Sequence, residues 1–204
     1  MSRGDPTPPP ADLAERDLGD RIRLLRGAYW RFSHRNAPLI DWSDGAGARF
    51  SNPDLPCKVL YLAPFKVTAF WERFGEDLRD QDLTTRAISE RILADRVWKA
   101  VRVKTGLRIV DLTDNPTLRY LGADGATFFA AYEFTQRWAG ALMSHPAAID
   151  GIVYGSRLNP PKKCVALFER AHSATALKIS VRPPLPLDDP VILRILARER
   201  IRLV

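Results

Sequence analysis

Val59-Leu60-Tyr61-Leu62-Ala63-Pro64 is an apolar run stopped by a proline, and Thr68 to Leu78 follows it with apolar residues at helical spacing. The first reads as a strand over 58–63. The second reads as a helix, with Thr68 as a candidate N-cap and Trp71 and Glu72 in its first turns. Further along, Gly151 to Tyr154 and Cys164 to Phe168 form two more strands on either side of a Gly155-Ser156-Arg157 loop. Leu107 to Leu112 is a strand ended by Thr113-Asp114-Asn115-Pro116, and Lys178 to Val181 is another.

Upstream, Tyr29 to Phe32 reads as a strand, 38–46 as loop, and Arg49-Phe50 as the start of a short strand after the flexible Gly45-Ala46-Gly47. Leu13, Leu18, Ile22 and Leu25 lie near one face of an amphipathic helix over Ala11 to Arg26. Residues 1–20 are expected to form a partly disordered N-terminal arm, since Pro6, Pro8, Pro9 and Pro10 fall within it. Residues 21–204 form a single domain. Pro116 to Leu121 reads as a short helix, 122–125 as a turn, and Phe134 to Met143 as a helix. Thr84 to Trp98 is open between helix and strand, and Val191 to Leu203 between a helix and a strand-rich tail. There is no internal repeat. This mixture implies an α+β fold with a mixed, largely antiparallel sheet core and flanking helices.

With 204 residues, 46% of them hydrophobic, the chain can bury a core without metal or disulfide staples. Cys57 and Cys164 are far apart and outside any CxxC motif, which suits reduced thiols in a cytoplasmic protein. His34, His145 and His172 are isolated, so no zinc-ligand spacing occurs and no metal is expected. No run of about 18 apolar residues exists, and the N-terminus lacks the apolar stretch of a signal peptide. No membrane association is expected.

The net charge of +7 favours an anionic partner. The basic residues are dispersed, however, and no basic helix or aromatic-studded strand motif stands out. Direct nucleic-acid binding is therefore not expected. Gly45-Ala46-Gly47 lacks the third glycine of a dinucleotide fingerprint, and no GxxxxGK[ST] loop occurs. Gly155-Ser156 is not a nucleophile elbow either, because the second glycine is absent.

Arg49, Tyr61, Glu72 and Ser156 occur in that order, each on or beside an apolar strand-like run or at a helix start. Arginine suits a pyrophosphate, because its planar fork donates paired hydrogen bonds. A tyrosine ring can stack on a planar base. A glutamate can stabilise a developing ribosyl cation, and a serine can hold a loop or an amide. Glu76 lies one helical turn beyond Glu72 and competes with it for the role of the carboxylate. The set suits cleavage of the C–N bond between ribose and a pyridinium base.

These pieces also resemble the RES domain family from about Tyr29 to Val181. They include Tyr29-Trp30-Arg31, Gly47-Ala48-Arg49-Phe50, Tyr61-Leu62-Ala63, Ala69-Phe70-Trp71-Glu72, Val110-Asp111-Leu112-Thr113, Thr135-Gln136-Arg137-Trp138 and Asp150 to Ser156. Phe50 stands where many relatives have Trp. The resemblance implies an ADP-ribosyltransferase-like fold and a toxin of a type II toxin–antitoxin system. It implies that NAD is a substrate rather than a cofactor, lost by hydrolysis or phosphorolysis; ADP-ribosylation of a cellular protein is the alternative. It implies Glu72, Arg49 and Ser156 as catalytic residues, with Arg31, Arg49, Tyr61 and Ser156 holding NAD. It also implies an Xre-type antitoxin covering the active site, and allows a homodimer within such a complex.

Overall fold

The computed structural model describes residues 6–43, 48–52, 54–55, 58–182 and 186–204. In chain order the elements are β1 (Ile22–His34), β2 (Val59–Leu62), α1 (Lys66–Arg79), β3 (Ala87–Ile88), α2 (Glu90–Ala94), β4 (Arg96–Asp111), α3 (Asn115–Leu121), α4 (Tyr132–Met143), β5 (Gly151–Gly155), β6 (Lys163–Phe168), α5 (Ala171–Ala176), β7 (Leu177–Arg182), α6 (Pro190–Glu199) and β8 (Arg202–Leu203). The architecture is α+β. The main sheet runs β1-β4-β5-β6-β2, with β7 also pairing with β4. Only the β4–β5 pair in this sheet is parallel.

The sheet curls until its two ends meet. Trp30 of β1 and Ala63, just past β2, exchange backbone hydrogen bonds of 2.7 and 2.9 Å. This closure brings Arg31 on the first strand beside Tyr61 on the last.

Strand alternation then divides the apolar residues between two cores. Val59, Cys164, Ala166, Phe168, Ile152 and Tyr154 join the larger core. Leu60, Leu62, Val165 and Leu167 pack with Val101, Val103, Leu107 and Ile109 into a second core within the curl. Strands buried on both faces read as continuous apolar runs rather than alternating ones, which is why β2, β5 and β6 stand out in the sequence. Helix α1 lays Ala69, Phe70, Phe74 and Leu78 on the larger core. At Gly75 an added Cβ would lie 2.9 Å from Leu158, so glycine is what allows the loop after β5 to press onto this helix.

Several local expectations are corrected. The segment 11–26 is not one helix: it makes two short turns, Leu13–Glu15 and Gly19–Arg21, and then enters β1. Its apolar set splits accordingly, Leu13 and Leu18 filling the larger core while Leu25 fills the second. From residue 7 the N-terminal segment is packed against the domain: the Thr7 carbonyl accepts from Trp138 Nε1 at 2.7 Å, and Leu18 is fully buried. Residues 1–5 lie outside the described residues, as do Gly45-Ala46-Gly47 and Cys57.

Arg49-Phe50 forms a turn, not a strand, because the Phe50 N–H bonds to the Tyr61 hydroxyl instead of a ladder partner. Helix α1 starts at Lys66, two residues before Thr68, with Phe65 as its N-cap. The segment 84–98 divides into β3, α2 and the start of β4. The C-terminus is first helix and then strand, with β8 parallel to β3. Among the described residues, no helix is long and apolar enough to cross a membrane.

Candidate active site

Helix α1, strands β1, β2 and β5 and the Arg49 turn enclose a cavity of about 320 Å³. Its volume falls in the range of small-molecule sites. Of the five residues singled out in the sequence, Arg31, Arg49, Tyr61 and Glu72 line it.

Ser156 lies behind the wall, 1% exposed. Its hydroxyl donates to Glu72 Oε1 at 2.6 Å and accepts from the Asn159 N–H at 2.9 Å. Asn159 is itself tied to α1 through the Thr68 hydroxyl at 3.0 Å. Ser156 therefore fixes the carboxylate and the loop, and its hydroxyl is engaged on both sides.

The second oxygen of Glu72 accepts from Tyr154 at 2.9 Å. Tyr154 is fully enclosed, and burial, followed by the nearby Glu72 charge, pushes its phenol well above the ordinary value, so it remains a donor. The same environment drives the Cys164 thiol upward, burial first and Glu72 second. Tyr154 is absent from the set read in the sequence. Its signal is parity: Ile152, Tyr154 and Ser156 share one side of β5 and its extension, the side that meets α1. Glu76, one turn beyond Glu72, also lines the cavity, but its bond is different: it accepts from the Tyr132 hydroxyl at 2.8 Å.

Arg49 is 8% exposed and sits among aromatic rings, its guanidinium 4.9 Å from the Phe50 centroid, 5.2 Å from Tyr154 and 5.5 Å from Phe129. Nη1 donates to the Gly155 carbonyl at 3.2 Å, while Nε and Nη2 are buried with no partner among the described residues. Its turn is held by α4: the Thr135 hydroxyl bonds the Arg49 carbonyl, and Gln136 Nε2 bonds the Ala48 carbonyl at 3.0 Å. Tyr61 supports the turn from below through the Phe50 N–H, and burial raises its phenol to about 12.

Arg31 pairs with Asp41 at 2.9 Å and reaches Ser33 at 3.2 Å, but its Nη1 is also buried, with no partner among the described residues. Burial is the main force pulling both guanidinium groups below their ordinary values; for Arg31 the Asp41 charge opposes it, and for Arg49 Tyr154 and Glu72 do. Three orphaned N–H-bearing nitrogens on two cavity-lining arginines are costly. An oxyanion would satisfy them.

Among the described residues, no group of three or more His, Cys, Asp or Glu could hold a metal. His145 serves the fold, with Nε2 3.1 Å from the Leu13 carbonyl and Nδ1 accepting from the Ala147 N–H at 3.0 Å.

The fold and site together define a curled α+β domain whose cavity is lined by one held carboxylate and two arginines. The RES domain model matches residues 14–189, and the chain belongs to the RES domain family. The probable toxin y4kH of Sinorhizobium fredii (strain NBRC 101917 / NGR234) is 34% identical over 90 residues, spanning 44% of this chain and 67% of that protein. The crystal structure of the M. tuberculosis MbcT–MbcA toxin–antitoxin complex matches 85% of this chain and 91% of its own, with a TM-score of 0.59 and 16% identity. That last likeness is one of fold.

Proposed function

We propose that this chain is the toxin of a toxin–antitoxin pair and that it cleaves the nicotinamide–ribose bond of NAD, which is its substrate and not a cofactor. The observation that carries this reading is the three unpartnered guanidinium nitrogens of Arg31 and Arg49, in a cavity whose carboxylate, Glu72, is held by two hydroxyl donors. The diphosphate of NAD supplies the missing acceptors. With it anchored, the ribose next to nicotinamide comes within reach of Glu72.

The C1′–N bond then breaks, and its electron pair leaves with nicotinamide, which departs neutral and needs no proton. The ribosyl cation that forms is stabilised by the Glu72 carboxylate. Water adds through its oxygen to C1′ and loses a proton, or phosphate adds through one of its oxygens. Ser156 and Tyr154 act through Glu72 by fixing both of its oxygens. An Xre-type antitoxin covering the cavity mouth would keep the enzyme silent in the cytoplasm. The relative named as a probable toxin and the toxin–antitoxin complex of like fold support this part of the reading.

The test is chromatographic. Purified protein free of any antitoxin is incubated with NAD, with and without phosphate, beside Glu72→Gln. Nicotinamide release by wild type alone supports the reading, and the ribosyl product names the acceptor. Folded wild-type protein that leaves NAD intact refutes it.

A further inference from the structure

Helix α1 presents two glutamates to one cavity. Glu72 is held by hydroxyls from β5 and its loop, whereas the Glu76 carboxylate has one partner among the described residues, Tyr132, the first residue of α4. The two carboxylates are one turn apart, about 6 Å along the helix axis. Tyr132 is half-buried and lines the cavity beside Arg49 and Arg157.

Three contacts fix this tyrosine. Its hydroxyl donates to Glu76 at 2.8 Å. The Arg157 guanidinium lies 5.9 Å from the ring centroid. The first turn of α4 is tied to the Arg49 turn through Thr135 and Gln136. Burial, and then Glu76, push its phenol upward, so the donated proton stays in place. Tyr61, which also lines the cavity, is tied into its wall: its hydroxyl takes the Phe50 N–H, and its ring stands edge-on to Tyr154 at 6.4 Å.

We infer that Tyr132 is the shelf on which the leaving base of the substrate stacks, on the ring face opposite Arg157, and that Glu76 is a positioning residue acting through it. This rests on the NAD-cleavage reading above. The base leaves from the ribose that Glu72 faces; Tyr154, closer to Glu72, is fully buried and committed to that carboxylate, whereas Tyr132 lines the same cavity half-buried, with a clamped ring to offer. Before cleavage the nicotinamide ring is a cation, which suits the π-face of a tyrosine close to a carboxylate. The inference also divides the labour of the two glutamates: Glu72 serves the ribosyl cation, and Glu76 orients the ring.

The experiment measures nicotinamide release at varied NAD for wild type, Tyr132→Ala, Glu76→Ala and Glu76→Gln, together with melting temperatures and inhibition by ADP-ribose. Tyr132→Ala should raise KM about tenfold, the order of one lost base–aromatic stack, with a smaller fall in kcat. ADP-ribose, which lacks the base, should inhibit wild type and Tyr132→Ala equally. Glu76→Ala should shift KM in the same direction, and Glu76→Gln, which still accepts the phenol proton, should recover most of that loss.

An unchanged KM in Tyr132→Ala overturns the inference. So does a matching loss of ADP-ribose affinity, which would place adenine there. So does a collapse of kcat in Glu76→Gln, which would make Glu76 the catalytic carboxylate. Wild-type protein that never releases nicotinamide defeats the NAD reading itself, and this inference with it. Active wild type with an indifferent Tyr132→Ala defeats only the inference.

Discussion

Lys66 and Arg49 are both cations packed on aromatic rings, and the protein serves them in opposite ways. The Lys66 ammonium lies 5.1 Å from the centroids of Trp30 and Trp98 and 2.6 Å from Asp189, a carboxylate that is 0% exposed and also caps α6. Every charge in that pair has its complement. Arg49 has rings and one carbonyl, but two of its nitrogens meet no acceptor among the described residues. The first arrangement holds a fold together. The second, on the proposed reading, is completed by a ligand. A buried cation is therefore informative about function when its complement is missing, not merely because it is buried.

That contrast can be broken first at Lys66. Replacing it with Met strands a buried carboxylate, which should cost about 3–5 kcal/mol of stability. Urea denaturation reads this directly, and a loss below 1 kcal/mol would remove one half of the contrast. Next in size, Glu72→Gln keeps an acceptor for one of the two hydroxyls, presents an N–H to the other, and removes the charge. It should lower kcat about 10²–10³-fold, with the melting temperature held near wild type. A Gln variant that turned over normally would mean that Glu72 only ties α1 to β5.

Arg49→Ala should weaken NAD binding about ten- to hundredfold, as expected for lost hydrogen bonds to a charged group. It should cost less stability than the Lys66 change, because it gives up one protein acceptor and the ring packing but strands no buried charge. A large drop in melting temperature would instead class Arg49 with Lys66. The smallest effect belongs to Tyr154→Phe, which removes one of the two donors on Glu72. A fall in kcat of about tenfold with KM unchanged is expected from steady-state kinetics. An equal rise in KM would assign the tyrosine to binding.

The sequence exposed this site unevenly, for physical reasons. Strands β2, β5 and β6 are buried on both faces and show as apolar runs, so Tyr61 and the Ser156 loop were easy to place. Strands β1 and β4 were read only in part, as Tyr29–Phe32 and Leu107–Leu112. Their outer stretches alternate with exposed Arg23, Arg26, Arg102 and Lys104, which blur the pattern. The reach of β1 back to residue 22 is set by pairing with β4, a long-range match that no local window contains.

Arg49 was found as a residue but misplaced as strand, because its turn is made by the distant Tyr61, Thr135 and Gln136. Ser156 was found in the right loop, but only the packing of that loop on Gly75 shows that it faces Glu72 and not the cavity. Tyr132 lies outside every motif, and its relation to Glu76 exists only once α4 and α1 are packed together.

The most direct measurement of the central claim is calorimetric titration of ADP-ribose into wild-type protein and Arg49→Ala, each shown to be folded by its melting temperature. ADP-ribose carries the diphosphate without the scissile base, so binding is read apart from chemistry. The account predicts a saturable isotherm for wild type that is lost or weakened at least tenfold in the variant. Equal binding by both proteins would mean that the orphaned guanidinium nitrogens of Arg49 do not hold the diphosphate, and the site would have to be reassigned.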